Sequence, residues 1–578
     1  MKQLMSLLAA ILPLILGSIF IVNFSFKQSP KKYTDLNKGI PMCRLGGDQF
    51  YFNITGDSTT PLAPLLDGLG DLHFAVSTKS KEAQKFFDQG YRLVYAFNHA
   101  EAHRSFQEAV RLDPNCAMAY WGQALALGPN INDPFPDMER QTEAYKAIQK
   151  AKSKKNFVSQ MEQAMIDALA TRCTEKEAEQ QDLNVAYHRA MEKVYKQFPE
   201  HPEVGTLYAD AIMNTMPWNY YDENMQPRPY TKETIDALEK VISKYPDHPG
   251  AHHLYIHIIE AENPDKAIPS ADKLGLLMPK AGHIVHMPSH IYIGVGMYSK
   301  AAEVNRKAIE ADEDYIAQCQ AQGVYPLAYY PHNVHFLWAA ASMLGKSGEA
   351  IQTGEKVANK VPASLAVDIP FIQDFLAVPL QAYVRFGKWN QILTTPPPNE
   401  DHLHTSMIWH YARGIAFVRR NQVERAEAEL SALNKIVDNP ATKELLAAYN
   451  NPTSEVGKVA SKALAGEIAA LKGDYKKAID LLEQAVEKEM ALVYQEPAAW
   501  HAPARQYLGA ILLESGRPAE AEAVYRADLK KNRDNGWSLF GLYQSLLAQG
   551  KGKEAQTVKN RFEKAWQEAD VALTASRF

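Results

Sequence analysis

The feature that most constrains the fold of this chain is a helix-turn-helix pattern that recurs along most of its length. The stretch "AQKFFDQGYRLVYAFNHAEAHRSFQEAVRLDP" carries Gly90, Ala102, Phe106, Ala109 and Pro114 at spacings that fit a unit of about 34 residues. Small residues at these places let two helices approach closely, while the apolar positions between them bury a face that no single unit could hide. The sequence therefore predicts an array of stacked helix pairs.

The same arrangement returns near the C-terminus, in "AGEIAALKGDYKKAIDLLEQAVEKE" and "GAILLESGRPAEAEAVYRADL". The corresponding small residues are Gly466, Gly473, Ala478, Ala485, Gly509, Gly516 and Ala521. This spacing is typical of the tetratricopeptide repeat (TPR). We therefore expect an all-α fold, an α-solenoid in the form of a right-handed superhelix.

Breaks in the pattern divide the chain into seven parts. They are an apolar N-terminal segment (1–32), a loop-rich lead segment (33–82), N-terminal repeats (83–214), a loop rich in proline and aromatic residues (215–231), histidine-rich repeats (232–390), a proline-rich connector (391–406) and C-terminal repeats (407–578).

The N-terminal segment has the composition of a membrane span or a secretion signal. No charged residue occurs from Gln3 to Phe26, and such a run approaches the ~20 apolar residues that a membrane-spanning helix needs. Lys2 precedes the run as in a signal peptide, but a small-residue cleavage site is hard to find, so a cleaved signal and an uncleaved anchor both remain open. We expect an exported protein, periplasmic or anchored on the extracytoplasmic side, that meets the membrane only through this segment.

Charge and cysteine content narrow the classes of ligand. The net charge is -5 and there is no block rich in Lys and Arg, which argues against a nucleic-acid partner. The four cysteines contain no C-x-x-C motif, so a thiolate zinc site is not expected. Three disulfide pairings among them stay open.

Histidines concentrate in the middle repeats. Eight of the 18 histidines lie between residues 252 and 335, where an even spread would give about 2 to 3. Aligned on the repeat, His283, His286 and His290 take positions 2, 5 and 9 of a first helix, and His332 and His335 take positions 2 and 5 of the next. In proteins with this repeat, those positions line the concave groove. Pro288 inside the first of these helices predicts a kink.

This cluster predicts a metal site. Neutral imidazole is a good ligand for Zn, Cu or Fe, a histidine pair one turn apart can hold one ion, and an added carboxylate favours zinc or non-haem iron. Asp374 is a further carboxylate in the same register. Packed, hydrogen-bonded histidines are the alternative to a divalent transition metal. The candidate ligands are His252, His253, His257, Glu260, His283, His286, His290, His332 and His335.

Three longer stretches resemble a family of bacterial exported TPR proteins that carry the same histidine-rich blocks. The stretches are "DPNCAMAYWGQALALGPNIN", the run from "HHLYIHIIE" through "GHIVHMPSHIYIGVGMYSKAAEVN", and "YYPHNVHFLWAAASMLG". The resemblance covers most of residues 70 to 560. It implies a shared fold and shared blocks, but it implies no particular reaction or metal.

Two functions are compatible with the sequence. In the first, the chain is a metalloenzyme on a solenoid, either an oxidoreductase with paired copper or iron or a hydrolase with one zinc that keeps an open position. In the second, it is a non-enzymatic TPR scaffold whose groove binds a peptide or protein partner. Clamps for a peptide carboxylate use Lys, Arg and Asn, whereas the groove positions here hold His.

Overall fold

The structure is a computed structural model that describes residues 61–222, 224–318 and 325–578. The predicted signal or anchor at 1–32 and the first part of the lead segment lie outside these ranges. Within them, none of the helices combines the length and the apolar character that crossing a membrane requires.

The first part of the chain forms successive helix pairs. Its helices are α1 (Lys81–Tyr95), α2 (His99–Leu112), α3 (Ala117–Leu127), α4 (Met138–Lys154), α5 (Gln160–Ala170), α6 (Gln180–Gln197), α7 (Pro202–Met213) and α8 (Thr231–Lys244). The starts of α1 and α2 are fixed by N-caps: the Ser80 side chain accepts a hydrogen bond from the Ala83 N–H, and the Asn98 side chain accepts one from the Glu101 N–H.

The histidine-rich part continues the same pairing. Its helices are α9 (Pro249–Ile259), α10 (Ile268–Leu277), α11 (Gly282–His286), α12 (Pro288–Gly294), α13 (Tyr298–Gln318), α14 (Tyr330–Met343), α15 (Ser347–Lys360), α16 (Phe371–Arg385) and α17 (Trp389–Thr394). One residue, Met287, separates α11 from α12, and Pro288 begins α12. The predicted break at this proline is therefore present. A π-helical turn, Tyr325–Tyr329, leads directly into α14.

The C-terminal repeats complete the array. Their helices are α18 (Leu403–Arg419), α19 (Val423–Val437), α20 (Ala441–Glu444), α21 (Thr453–Leu471), α22 (Tyr475–Met490), α23 (Ala504–Glu514), α24 (Pro518–Lys531), α25 (Gly536–Ala548) and α26 (Gly552–Ala565). No β-strand occurs in the described ranges. The fold is the expected all-α right-handed solenoid of TPR-type pairs.

Glycines and aromatic rings hold the helix pairs close together. A β-carbon at Gly90 would lie 2.9 Å from the Phe106 ring, and one at Gly122 would lie 2.5 Å from the same ring. Near the other end, β-carbons at Gly509 and Gly541 would lie 2.4 and 2.1 Å from the Tyr525 ring. These rings fill the space that the glycines leave, so the predicted small residues do set the helix spacing.

The end of the chain returns to the histidine-rich repeats. Trp537 donates a hydrogen bond from Nε1 to the Ser342 carbonyl at 3.0 Å, and Arg533 pairs with Asp265 at 2.7 Å. The Trp566 ring lies against Gly345. One end of the superhelix is thereby fixed to its middle.

Two non-helical segments fold onto the array. The lead segment is tied to α1 by the bond from Leu66 N–H to Gln89 Oε1 at 2.7 Å, and to the start of α11 by the bond from Lys280 N–H to the Gly68 carbonyl at 3.0 Å. The loop between α7 and α8 is held by Tyr221, whose hydroxyl donates to the Ile258 carbonyl at 2.9 Å. The proline-rich connector is partly helical, because α17 occupies its first residues and leaves only 395–402 without helix.

We expect Gly541→Ala to destabilise the C-terminal repeats, because the new methyl group would overlap the Tyr525 ring inside a packed helix pair. Overpacking of this kind costs about 1–3 kcal/mol. Gly552→Ala is the control: it opens α26 with no atom within 4 Å, so it should be neutral or slightly stabilising. Urea unfolding followed by helical circular dichroism compares the two, and equal midpoints would contradict the packing argument.

Candidate metal centre

The histidines of the site come from the first helices of three successive pairs. Helix α9 carries His253 and His257 one turn apart, α11 and α12 carry His283, His286 and His290, and α14 carries His332. Helices α9 and α12 are in contact, as are α11 and α14. The stacking of the repeats therefore brings these side chains together.

The first histidine group consists of His253, His257 and His283. One nitrogen from each lies within 4.8 Å of the others. Ring centroids are 4.9 Å apart for His253 and His257 and 5.0 Å for His253 and His283. All three residues are buried, with at most 3% of their surface exposed. Three converging nitrogens in this arrangement are enough to hold one metal ion.

The second histidine group consists of His286, His290 and His332, with nitrogens again within 4.8 Å of one another. His286 Nε2 and His290 Nε2 are 3.0 Å apart. Two nitrogen ligands at about 2.0–2.1 Å from one tetrahedral ion lie roughly 3.3 Å apart, so this pair is close to ligand spacing. His332 is the most exposed member of the group.

The two groups adjoin. The ring centroids of His283 and His286 are 5.8 Å apart, and those of His257 and His290 are 5.5 Å apart. The six imidazoles thus form one continuous cluster with two separate points of convergence.

In two of the imidazole rings, hydrogen bonds determine which nitrogen carries the proton and which keeps a lone pair. His253 Nδ1 lies 2.6 Å from the Tyr95 carbonyl oxygen, which can only accept, so Nδ1 carries the proton and Nε2 keeps its lone pair. His286 Nδ1 lies 2.7 Å from Asn305 Oδ1. The Asn305 amide nitrogen donates to the Ala301 carbonyl at 2.8 Å, and this orients the amide oxygen towards His286. Bonds of this kind orient histidines that bind metals.

Two carboxylates support His290. Its Nδ1 is 2.9 Å from Glu260 Oε2 and 3.3 Å from Glu496 Oε2. Burial lowers the pKa of His290, but the two carboxylates outweigh burial and raise it to about 10. These three residues also form a third group of ligand atoms within 4.8 Å. Glu260 therefore lies at the site as the sequence predicted, beside His290 rather than inside either histidine group.

Several buried nitrogens of the cluster have no hydrogen-bond partner. They are both ring nitrogens of His257, both of His283, and Nε2 of His253. A buried polar atom without a partner lowers the free energy of unfolding by roughly 1–3 kcal/mol, so five such atoms in one place destabilise the folded chain considerably. A metal ion in the first group would satisfy at least three of them, and this is the fit that the chemistry of the donors predicts.

Burial keeps most of the imidazoles neutral. It lowers the pKa of His253, His257 and His283 well below the ordinary value, and neighbouring imidazoles lower it further. The same two causes act on His286 and His332. Neutral imidazole is the form that binds a metal.

Aromatic rings enclose the cluster. Phe97 lies 4.5 Å from the His253 ring and 5.4 Å from the His283 ring, and Phe336 lies 4.4 Å from the His286 ring. Trp218, from the loop between α7 and α8, makes an edge contact with His257 at 4.9 Å. Phe97 and Trp218 have φ values of 54° and 60°, in the left-handed region that costs such residues about 1–3 kcal/mol. Backbone strain at both rings is consistent with a functional site.

Two predicted ligands are not brought into the cluster. Both ring nitrogens of His252 are already bonded, at 2.9 Å each, to the Ser270 hydroxyl and the Pro246 carbonyl. His335 instead stacks on Trp338 at 5.1 Å between ring centroids, and Asp374 partly opposes the lowering of its pKa by burial. Asp374 itself lies 3.4 Å from His404 Nε2.

Glu496 is the residue of the site that the repeat pattern did not indicate. It lies between α22 and α23, where its Oε1 accepts a hydrogen bond from the Tyr494 hydroxyl at 2.8 Å. The only signal in the sequence is the long interruption "ALVYQEPAAWHAP" between two helices. Nothing in that interruption shows which distant helix it contacts.

Comparison with known proteins finds weak structural similarities. No protein-family model and no curated protein matches the chain. Among solved structures it is similar to a human IFIT1 dimer with m7Gppp-AAAA (TM-score 0.31, 12% identity, 85% of this chain and 91% of that chain) and to yeast Tom70 (TM-score 0.29, 11% identity, 85% and 93%). The APC/C hetero-tetramer Cut9-Hcn1 is similar to the same degree (TM-score 0.26, 12% identity, 85% and 95%). Likenesses this weak carry no argument about function.

We expect the Asp312→Asn variant to become more stable to unfolding, relative to the natural chain, as the pH rises. Asp312 is fully buried, accepts hydrogen bonds from the Tyr325 hydroxyl and the Asn333 amide at 2.7 Å each, and holds the π-helical turn before α14. Burial raises its pKa from 3.8 to about 7. A raised carboxyl pKa contributes stability that is complete below about pH 4 and is lost as the pH rises through 7.

The Asp312→Asn variant lacks this titration. Its free energy of unfolding minus that of the natural chain should therefore rise by up to about 4 kcal/mol between pH 4 and pH 8. Urea unfolding at the two pH values measures that difference. A difference independent of pH would mean that Asp312 ionises normally in the folded chain.

Proposed function

We propose that the chain is a metalloprotein that binds two transition-metal ions side by side, one in each histidine group, and that it acts as an oxidoreductase. The observation that carries this proposal is the pair of adjoining groups of three buried imidazoles. Two of these imidazoles have their free nitrogen fixed by hydrogen bonds from the opposite side of the ring. His252, which lies outside the two groups, instead has both ring nitrogens bonded.

The donor set favours copper over iron or zinc. Paired iron or manganese in helical proteins is held largely by carboxylates, whereas each group here is built from imidazole alone. Two carboxylates, Glu260 and Glu496, lie beside the histidine groups at His290. Two copper(I) ions would bring two positive charges, which these two carboxylates balance, whereas two divalent ions would leave net positive charge in a buried aromatic cage.

Copper in such a site would supply one-electron or dioxygen chemistry. The chain's own part is to exclude water with Phe97, Phe336 and Trp218, and to hold the imidazoles in place through Tyr95 and Asn305. His332 is the partly exposed member, so the second group is the side from which a small substrate can approach.

A hydrolase with one zinc ion is the second candidate within the same class of site. It is favoured by Glu260 and Glu496, because a carboxylate beside a metal-bound imidazole can also accept a proton from water. One ion per chain and zinc in preference to copper would support this candidate.

The proposal also covers the location of the protein and a non-enzymatic alternative function. The apolar N-terminal segment is the support for an exported or membrane-anchored protein with its metal centre outside the cytoplasm. A protein or peptide partner on the TPR-type array is the non-enzymatic alternative, and it would become the preferred function if the histidine groups bind no metal.

Metal content should distinguish the cluster from its neighbours in the sequence. Full-length protein purified without a histidine tag should contain close to two copper ions per chain by elemental analysis. His253→Ala and His286→Ala should each lose about one ion or more, because each removes a ligand from one group. His252→Ala is the matched control, since that residue is adjacent to His253 but has both nitrogens bonded elsewhere.

Equal metal loss in the His252 and His253 variants would show that the geometry of the cluster does not identify the residues that bind metal. Circular dichroism of each variant checks that the helices are retained. Zinc in place of copper at one ion per chain would move the assignment to the hydrolase.

Metal should also stabilise the fold. An ion that binds only the folded chain stabilises it by mass action, by about 4 kcal/mol at 1,000 times its dissociation constant. Chelator-stripped protein should therefore melt at a higher temperature when copper is restored at pH 7.5. The double variant His257→Ala/His290→Ala should show no such rise, and a melting temperature indifferent to Cu, Zn and Fe in the natural chain would leave only the scaffold function.

A further inference from the structure

A buried arginine at the end of α16 has no carboxylate partner. Arg385 is 3% exposed, and in the part of the chain that the structure describes no carboxylate oxygen lies within 4.0 Å of its guanidinium. Burial lowers the pKa of Arg385 only to about 10, so the group is charged at neutral pH. Asp528 is linked to Arg385 through Gln506, but no carboxylate contacts the guanidinium directly, so an anion at this position would lower the energetic cost of burying the charge.

One edge of the guanidinium is free. Nη1 donates to Gln506 Oε1 at 2.7 Å, while Nε and Nη2 have no partner. Nε and Nη2 form the edge that grips a carboxylate with two parallel hydrogen bonds. Arg306 shows this use in the same chain, since its Nε and Nη2 bind the two oxygens of Glu349 at 2.6 and 2.8 Å.

The rest of the arginine is held rigidly. Its guanidinium carbon lies 3.7 Å above the Trp537 ring, and Trp537 is fixed by its hydrogen bond to the Ser342 carbonyl. Gln506 in turn donates to Asp528 Oδ2 at 3.4 Å. The free edge is therefore presented in one orientation, as a binding residue requires.

Further buried nitrogens without a hydrogen-bond partner lie on residues that are linked to this arginine through His501. Trp338 Nε1, Trp500 Nε1 and His501 Nε2 are buried atoms without a partner. The rings of Trp338 and His501 are 4.4 Å apart, and burial followed by the charge of Arg385 lowers the pKa of His501. We call Arg385, Trp338, Trp500 and His501 the donor cluster. Arginine and tryptophan side chains can only donate, whereas His501 Nε2 donates or accepts according to its tautomer, so donors outnumber acceptors in the cluster.

We propose that the donor cluster binds the carboxylate of an apolar or aromatic organic acid, with the two carboxylate oxygens on Nε and Nη2 of Arg385. Indole N–H groups supply further donors, and the rings of Trp338, Trp500 and Tyr411 supply apolar contact for the body of the ligand. The Tyr411 and Trp500 rings already pack edge to face at 4.9 Å, which shows that this wall is aromatic.

The donor cluster is connected to the metal centre. His335, one turn after His332 on α14, stacks on Trp338, and the segment between α22 and α23 that carries Trp500 and His501 also carries Glu496 beside His290. The donor cluster and the second histidine group are thus joined through α14 and through the segment between α22 and α23. The idea that an acid held by Arg385 is a substrate of the metal centre rests on the proposed function. The carboxylate site itself does not rest on it.

Calorimetric titration of the full-length protein with three acids, benzoate, phenylacetate and hexanoate, tests the proposal. At least one acid should bind, and its neutral amide should bind about 10-fold more weakly or worse, because the amide cannot satisfy a charged edge. Arg385→Gln should weaken acid binding by a similar factor. Arg306→Gln, which removes an arginine already paired with Glu349, should change it less than 2-fold or so.

No binding of any of the three acids, equal binding of acid and amide, or unchanged binding by Arg385→Gln would overturn the carboxylate site. Tighter binding of inorganic phosphate than of all three acids would do the same. If Arg385→Gln loses its helical circular dichroism, two other comparisons test whether Arg385 binds a carboxylate. The first is acid against amide in the natural chain. The second is the Arg385→Lys variant, which keeps the charge but not the Nε and Nη2 edge, and it should bind the acid more weakly than the natural chain. Metal content of the same samples reports separately on the proposed function.

Discussion

The close approach of paired helices at glycine is the constraint on which the rest of the structure depends. Phe106 occupies the space left by Gly90 and Gly122, and Tyr525 occupies the space left by Gly509 and Gly541. These contacts fix the separation of neighbouring helices near both ends of the array, and the stacking of pairs continues between them. In that stack the first helices α9, α11–α12 and α14 lie side by side, and their histidines meet.

The histidine cluster departs from the usual rule that buried polar groups are paired. Asp312 follows that rule, through its hydrogen bonds with Tyr325 and Asn333. Around His257 and His283 the nitrogens are unpaired, and Phe97 and Trp218 adopt strained backbone angles to cover them. Arrangements that lower stability at one place persist when another gain compensates, and ligand binding is the gain that the donors here indicate.

The sequence predicted the fold well and the site in part, for physical reasons that differ by residue. Helix anchors such as Ala102 and Ala478 recur at fixed spacing, so periodicity alone located them. Matched repeat positions would place His286 with His335, but in the structure His286 converges with His332 instead, where a π-helical turn precedes α14 and Pro288 begins α12. Glu496 reaches His290, and Arg385 reaches Trp537, through contacts between distant repeats, which no local pattern encodes.

The attachment of the C-terminal helices to the middle of the array bears on how the protein folds. Helix pairs need only near neighbours in sequence and can form early, whereas the contact of Glu496 with His290 and the seat of Arg385 on Trp537 join remote segments. These long-range contacts form only when the superhelical turn has closed. If the cluster binds metal as proposed, a half-folded chain would present the six histidines with Glu260 but without Glu496, so the complete site exists only after the segment between α22 and α23 has reached His290.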